Sequence, residues 1–271
     1  MDSTATGKSR PFGVRPPSCR REAGSNPAEM STEARPEGDE YVVNGTKQWI
    51  TNGERSGVVI LFAKTDREDP GTVTQFVVPK DVEGLEVGTK EEKLGLRASD
   101  TTTLTFEDVR IPETCRLTEE GRGLSAALSI LTGGRVGIAA QSVGLAQSAL
   151  DLACEYATDR EQFGGPIADI QSVRHTLAEM HARTQAGRLL TYDAARQLDH
   201  GRPPSLAAST AKYVASEAAM DVTNDAVQIH GGAGYTTEYP VERLYRDAKI
   251  TTIYEGTTQI QKTVIARELL D

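Results

Sequence analysis

The stretch Glu40-Tyr41-Val42-Val43-Asn44-Gly45-Thr46-Lys47-Gln48-Trp49-Ile50-Thr51-Asn52-Gly53 is rich in β-branched and aromatic residues and is punctuated twice by Asn-Gly. Asn-Gly between apolar runs is a strong hairpin signal, since both residues tolerate the positive φ of a tight turn. Tyr41–Val43 and Lys47–Thr51 therefore read as short strands. Gly57–Thr65, Thr72–Val78, Leu85–Val87 and Thr101–Glu107 follow in the same style, separated by Asp69-Pro70-Gly71 and Glu83-Gly84. Many short β-rich runs without intervening helices predict an antiparallel barrel or sandwich between residues 22 and 117.

Beyond Glu119 the apolar period changes from two to between three and four. Val136, Ala140, Val143, Gln147, Leu150, Cys154 and Ala157 form one stripe of a long helix. Ile170, Val173, Leu177 and Met180 open a second helix. Ala207, Ala211, Val214, Ala218, Val222, Ala226 and Ile229 mark a third, which begins near Pro203-Pro204. A last helix, roughly Thr258–Leu270, opens with Thr258-x-x-Gln261, the pattern of a capping box. The prediction for residues 118–271 is a four-helix bundle, making the chain an α+β protein. The alternating βαβ pattern of a nucleotide-binding sheet is absent.

The 271 residues carry a formal charge of −9, which argues against a nucleic-acid binder. The first 21 residues are basic and hold Pro11, Pro16 and Pro17, and five of the 12 prolines fall within the first 36 residues. Such a stretch cannot bury enough apolar surface to offset its ordering entropy, so it reads as a disordered leader unrelated to the body. Cys19, Cys115 and Cys154 have no ligand spacing and no even-numbered framework; they point to packing roles in a reducing compartment and to no metal site. No apolar run approaches the roughly 18 residues of a membrane span, and the acidic body fits a cytoplasmic location.

The residues that carry chemistry each admit a plainer explanation. Gly231-Gly232-Ala233-Gly234 follows a helix rather than a strand, so a glycine C-cap accounts for it without a dinucleotide. His230 fits a structural donor near that helix end, and Arg160 fits a cation at the end of the first helix. Trp49, the single tryptophan, is either core or, with Thr51 two residues on, one side of a strand suited to a flat ring whose edge needs hydrogen bonds. Glu255 is either a carboxylate favouring the N-terminus of the last helix or a partly desolvated general base between Ile253, Tyr254 and Gly256.

Several ordered motifs then coincide. Gln228-Ile229-His230-Gly231-Gly232-Ala233-Gly234-Tyr235, Glu238-Tyr239-Pro240-Val241-Glu242-Arg243, Arg246-Asp247-Ala248-Lys249-Ile250 and Ile253-Tyr254-Glu255-Gly256-Thr257 resemble the C-terminal signature of the acyl-CoA dehydrogenases. Gly45–Gly53 is similar to the flavin-facing strand of that family. Lys93–Asp100 and Gly134–Ala139 are similar to two further motifs. The resemblance runs from about Glu22 to Asp271.

The resemblance implies oxidation of an acyl-CoA thioester to a trans-2-enoyl-CoA, with FAD as cofactor and an electron-transfer flavoprotein as acceptor. It assigns Glu255 as the base for the α-proton. Trp49, Ile50 and Thr51 would face the isoalloxazine. Arg160, Gln162, Phe163 and Gln171, together with Gln228, Ile229, His230, Gly231 and Gly232, would reach FAD bound mainly by a neighbouring subunit. Thr257, Thr258 and Gln259 would touch FAD beside the base, and Ser25 and Arg135 would contact the acyl-CoA. A homo-oligomer, dimer or tetramer, is implied. One subgroup of the family places its base where Gly134 stands, which leaves Glu255 as the candidate. Family members carry a helical domain ahead of the barrel, whereas Cys19-Arg20-Arg21 stands here where a Thr-Glu-Pro-like segment is expected. The expectation is a relative lacking its N-terminal domain; the alternative is a non-catalytic remnant or partner subunit.

Overall fold

The computed structural model describes residues 29–201 and 204–270. The basic leader, Cys19 and the acyl-CoA candidate Ser25 lie outside the described residues.

Six strands form one sheet: β1 (Glu33–Glu37), β2 (Glu40–Thr51), β3 (Val58–Lys64), β4 (Val73–Pro79), β5 (Leu85–Val87) and β6 (Thr101–Pro112), in the order β4-β3-β1-β2-β6-β5. The expected antiparallel barrel or sandwich is present as one sheet that departs from that reading in two ways. Among the described residues the edge strands β4 and β5 do not pair, so the sheet stays open, and β1 meets β3 in parallel at Glu33 and Lys64. The sheet instead curls over its own core. Tyr41 of β2 and Phe76 of β4 stand three strands apart, yet their rings meet edge-on at 4.9 Å. Around them pack Ala34, Val43, Leu61, Val78, Leu104, Phe106 and Ile111. Each large side chain buried this way contributes roughly 1.5–3 kcal/mol.

Asn44-Gly45 is not a hairpin turn. β2 runs straight through it, and the register with β6 slips between Val43 and Gly45. The Asn44 side chain bonds across the ladder, donating to the Asp108 carboxylate and accepting from its backbone N–H, both at 3.0 Å. Gly45, at φ +142°, lets Thr32 approach so closely that a Cβ would lie 2.8 Å from the Thr32 Cα. This is a bulge glycine. The actual turn is Gly38-Asp39, with Gly38 at φ +68°, and it joins β2 to β1. β1 itself lies within the expected β domain but ahead of the first strand read from the sequence, Tyr41–Val43. Pro36 is tolerated because β3 pairs only with Glu33, so the missing N–H interrupts no second ladder.

The remainder is helical: α1 (Gly123–Asp159), a two-strand hairpin of β7 (Glu161–Gln162) and β8 (Gly165–Pro166), then α2 (Gln171–Asp199), α3 (Ser205–His230), α4 (Val241–Ala248) and α5 (Thr258–Leu270). α1, α2 and α3 pack on one another, and α5 rests against α3. Alanine dominates the contacts. Ala146, Ala149 and Ala153 face Met180, Ala219 and Val222, while Val136 and Ala139 face Ala194, Ala208, Ala211 and Ala215. The expected stripe of α1 holds at Val136, Leu150 and Ala157, which are buried, and slips by one residue elsewhere: Ala139 and Ala153 are buried, whereas Ala140 and Cys154 are exposed. Cys154 thus stands outside the buried stripe. α1 does contain an 18-residue window of mean hydropathy 1.3, long and apolar enough to cross a membrane, a test that the core helix of a bundle also passes.

The two halves meet at a loop rather than only at their linker. Leu96 donates its N–H to the Asp247 carboxylate at 2.6 Å, and Arg246 of α4 reaches the Leu94 carbonyl at 2.9 Å. Gly95 sits so tightly on α4 that a Cβ would lie 2.3 Å from the Arg246 carbonyl oxygen. Near the start of α1, the Tyr41 hydroxyl donates to Glu120 at 2.6 Å; burial and that carboxylate push the phenol up to about 12.

Candidate active site

Glu255 lies on the turn between α4 and α5, and the turn is held in an unusual conformation. Glu255 has φ +53° and Gly256 has φ +89°, two consecutive residues in the left-handed region. A non-glycine residue there costs energy and persists only where its surroundings enforce it. Three contacts enforce it. The wholly buried Gln261 of α5 donates its amide to the Glu255 carbonyl at 3.1 Å and to the Gly256 carbonyl at 2.9 Å. The wholly buried Lys212 of α3 donates to the same Gly256 carbonyl at 2.7 Å. Thr258 donates to Glu217 of α3 at 2.8 Å.

These bonds revise the expected capping box. The Thr257 hydroxyl, not Thr258, accepts from the backbone of α5, bonding the Ile260 N–H at 3.3 Å. Gln261 turns back to the carbonyls ahead of the helix instead of capping an N–H. A carbonyl at a left-handed turn inside the fold has no water to bond, so a side-chain donor takes that place.

The Glu255 carboxylate projects from this turn towards α1. A Cβ at Gly134 would lie 2.6 Å from its Oε2, so only glycine leaves the carboxylate this position. Arg135, the next residue, is buried; its Nη1 donates to Ser209 at 3.2 Å, and its Nε has no hydrogen-bond partner among the described residues. Burial pulls the Arg135 guanidinium below its ordinary value against the opposing pull of the Glu255 charge. Burial likewise pulls the Lys212 ammonium down to about 8, opposed by Glu217 and Glu255. Tyr254 donates to Gln141 of α1, and burial pushes its phenol up. The structure thus brings together Glu255, Arg135, Thr257 and Thr258 from the sequence-derived set, with Gln259 exposed beside them.

A second group gathers at the other end of the bundle. Arg160 caps α1, and the residues after it form a tight hairpin rather than a simple helix end. Phe163 (φ +54°) and Gly164 (φ +92°) occupy its tip, the double positive φ of a type I′ turn. Phe163 is held 96% exposed there. Arg160, Gln162 and Gln171 are exposed as well. At the end of α3, Gln228, Gly231 and Gly232 are exposed, with open space where a Cβ would stand on either glycine. His230 is buried: its Nδ1 bonds the Ala226 carbonyl at 2.8 Å, and its ring stacks on Tyr156 at 4.2 Å and meets Tyr239 edge-on. That ring is structural.

α1 and α3 run side by side in parallel, with Arg135 beside Ser209 at one level and Tyr156 beside His230 at another. Lys212 and His230 are 18 residues apart on α3, which separates the two groups by roughly 27 Å along the axis. One chain does not bring them to one point. Trp49, Ile50 and Thr51 form a third group on the sheet, where the register slips between Lys47 and Ile50. Trp49 has φ +61° and is 64% exposed; Ile50 packs on the sheet core and Thr51 is exposed, so the indole and hydroxyl both face outward.

Two residues of the Glu255 site are not among the site residues named from the sequence. Lys212 is visible there as the one charged residue among Ala208, Ser209, Ala211, Ala215, Ser216 and Ala219. Gln261 reads there only as a cap.

Comparison with known proteins accounts for this arrangement. The family model for the acyl-CoA dehydrogenase middle domain matches residues 21–109, and that for the C-terminal domain matches residues 121–270. The chain is 48% identical over 248 residues to the short-chain specific acyl-CoA dehydrogenase, mitochondrial, of Rattus norvegicus, covering 91% of this chain and 60% of that protein. It is 49% identical over 252 residues to the probable acyl-CoA dehydrogenase fadE25 of Mycobacterium bovis, covering 92% and 65%. The solved structure of butyryl-CoA dehydrogenase from Megasphaera elsdenii superposes with a TM-score of 0.90 at 44% identity, covering 92% of this chain and 66% of that one. The chain therefore spans about three fifths of the length of the rat relative. With both family models matched in order and a solved fold superposed over nearly all of its length, this chain belongs to the acyl-CoA dehydrogenase family.

Proposed function

We propose that this chain supplies the base and half of the cofactor surface of an acyl-CoA dehydrogenase acting on a short-chain acyl-CoA, the class named for its relatives. The observation that carries the reading is the Glu255 carboxylate, fixed on a strained turn against a glycine that makes room for it, with a buried, incompletely bonded arginine next to that glycine. Strain held in place by buried side chains is characteristic of a working site. Glu255 removes the α-proton of the thioester. Arg135, beside that glycine, is the residue that contacts the acyl-CoA. Charge that develops on the thioester oxygen is met by donors fixed in advance, and such preorganised donors usually contribute more to the rate than any other single effect.

The residues present fit FAD: an exposed indole and hydroxyl on the sheet, an exposed phenyl and guanidinium on the hairpin, and open glycine backbone at the end of α3. When bound, FAD accepts the β-hydride. The separation of the two helical groups, roughly 27 Å, fits a cofactor shared between subunits of a homo-oligomer, dimer or tetramer, in which one copy supplies the hairpin and the other the Glu255 end. An electron-transfer flavoprotein is the proposed acceptor, the cytoplasm the proposed location, and residues 22–117 and 118–271 the proposed domains.

Purified protein is expected to be yellow, or to become so with FAD, and to bleach when butyryl-CoA is added without oxygen. Glu255→Gln should keep the colour and lose bleaching by about 10²–10⁴-fold, the range of one general base. A colourless protein that cannot be reconstituted, or an active Glu255→Gln variant, overturns the proposal; the colourless result would favour a non-catalytic partner subunit.

A further inference from the structure

We propose that Lys212 is a positioning residue for Glu255: a buried ammonium that holds the left-handed Glu255-Gly256 turn by its Gly256 carbonyl and so aims the carboxylate at the space left by Gly134. The inference rests on the reading of Glu255 as the base.

Three observations converge on it. Lys212 is wholly buried, on a helix face otherwise lined by the small residues Ala208, Ser209, Ala215 and Ser216. An apolar side chain of similar length would fill the same volume without the cost of burying a charge, so the ammonium is not explained by packing. Its hydrogen bond goes to the residue after the base, at 2.7 Å, rather than to a carboxylate. The Gly256 carbonyl that it bonds already has a second donor in Gln261 at 2.9 Å, so satisfying that oxygen does not require the lysine. What the lysine adds is a direct bond from α3, the central helix, to the backbone of the turn, whose carbonyls are otherwise bonded by Gln261 of the following helix. A lever this short matters because misplacing a reacting group by about 1 Å costs up to 10²-fold in rate.

The groups around Lys212 come from three helices and the turn. Glu217 lies on α3 itself, Arg135 on α1, Gln261 on α5 and Glu255 on the turn. Of the two carboxylates, Glu217 accepts from Thr258.

The test uses the full chain reconstituted with FAD and a 3-thia acyl-CoA, in which sulfur at the β position carries no hydrogen. Exchange of its α-proton in D₂O, followed by mass spectrometry, reads the base alone. Backbone amide exchange across residues 253–261 reads the turn and needs neither FAD nor turnover. Lys212→Met should fold, lose α-proton exchange at least tenfold with the analogue's affinity changed less than threefold, and exchange the 253–261 amides faster. Lys212→Arg, which keeps a cationic donor, should recover part of the rate. Unchanged α-proton exchange in Lys212→Met, unchanged amide exchange, or failure of Lys212→Met to fold would each overturn the proposal; the last would make the lysine a requirement of the bundle. Absence of α-proton exchange in the wild-type protein would instead overturn the reading of Glu255, and the amide exchange would still decide whether Lys212 holds the turn.

Discussion

Gly134→Ala separates the stability of this fold from its chemistry, because the same methyl group acts on both in opposite directions. Gly134 lies inside α1, where glycine costs roughly 0.5–1 kcal/mol relative to alanine through its backbone entropy. Its added Cβ would stand 2.6 Å from Glu255 Oε2 and 3.3 Å from Glu255 Cδ, and no other atom lies closer. An ordinary carbon–oxygen contact begins near 3.4 Å, so the carboxylate must withdraw by about 0.8 Å. Because the obstacle is the end of a flexible side chain, the helix keeps its place and the glutamate moves. The melting temperature is expected to hold or rise by ~1–4 °C, since 1 kcal/mol shifts a domain of this size by about 2–4 °C. Turnover of butyryl-CoA should fall by about 10–100-fold, the effect of a displacement approaching 1 Å at a reacting group. Gly133→Ala is the control: that glycine has open space around it, so the same gain in helix propensity should come without loss of turnover. Full activity in Gly134→Ala, with its melting temperature raised, would refute the argument, because the carboxylate would then not act from this position.

Two further outcomes follow from the geometry. Gly95→Ala places a methyl group 2.3 Å from the Arg246 carbonyl oxygen, a backbone atom that cannot swing aside, so the 93–100 loop should part from α4 at a cost of about 1–3 kcal/mol, measured as a lower urea midpoint. The Lys212 ammonium falls from its ordinary 10.5 to about 8 on folding, so between those values the unfolded chain binds more protons than the folded one, and stability rises with pH through that window. Urea midpoints for Lys212→Met should lack a gain of about 3 kcal/mol that wild type shows from pH 8 to 10.5, and parallel curves for the two proteins would contradict it. Both proteins share the Tyr41 contribution, which is complete below pH 10 and is lost as pH climbs through about 12, so the difference between them isolates the lysine.

Local pattern served well where burial followed a simple period. The strands from Val58 to Val87 and from Thr101, the three long helices and α5 were legible because their apolar residues repeat at two or at three to four, and turn residues separate them. Pattern failed where a residue's role is set by a partner distant in sequence. Asn44-Gly45 looks like a turn until Asp108 and Thr32 are beside it, and then it is a bulge. β1 was hidden because Pro36 reads as a strand breaker unless it is known that β3 pairs only at Glu33. α4 is eight residues long, too short to show a period, and it is fixed by the loop that docks on it.

The candidate site divides along the same line. Glu255, Arg135 and the glycines of the α3 terminus could be named from local motif, since the residue types stand in a recognisable order along the chain. Sequence by itself determined the long strands and helices and that strands precede helices, and the resemblance it carries named Glu255 as the candidate base. Only the tertiary structure decided that Gly134 vacates the space Glu255 fills, that Lys212 and Gln261 hold its turn, and that the two helical groups lie at opposite ends of α3. Hydrophobic period and turn chemistry act over a few residues and are written locally. Room for a carboxylate, a donor for a strained carbonyl and a distance along a helix depend on atoms tens to more than a hundred residues apart, and these meet only once the chain has folded.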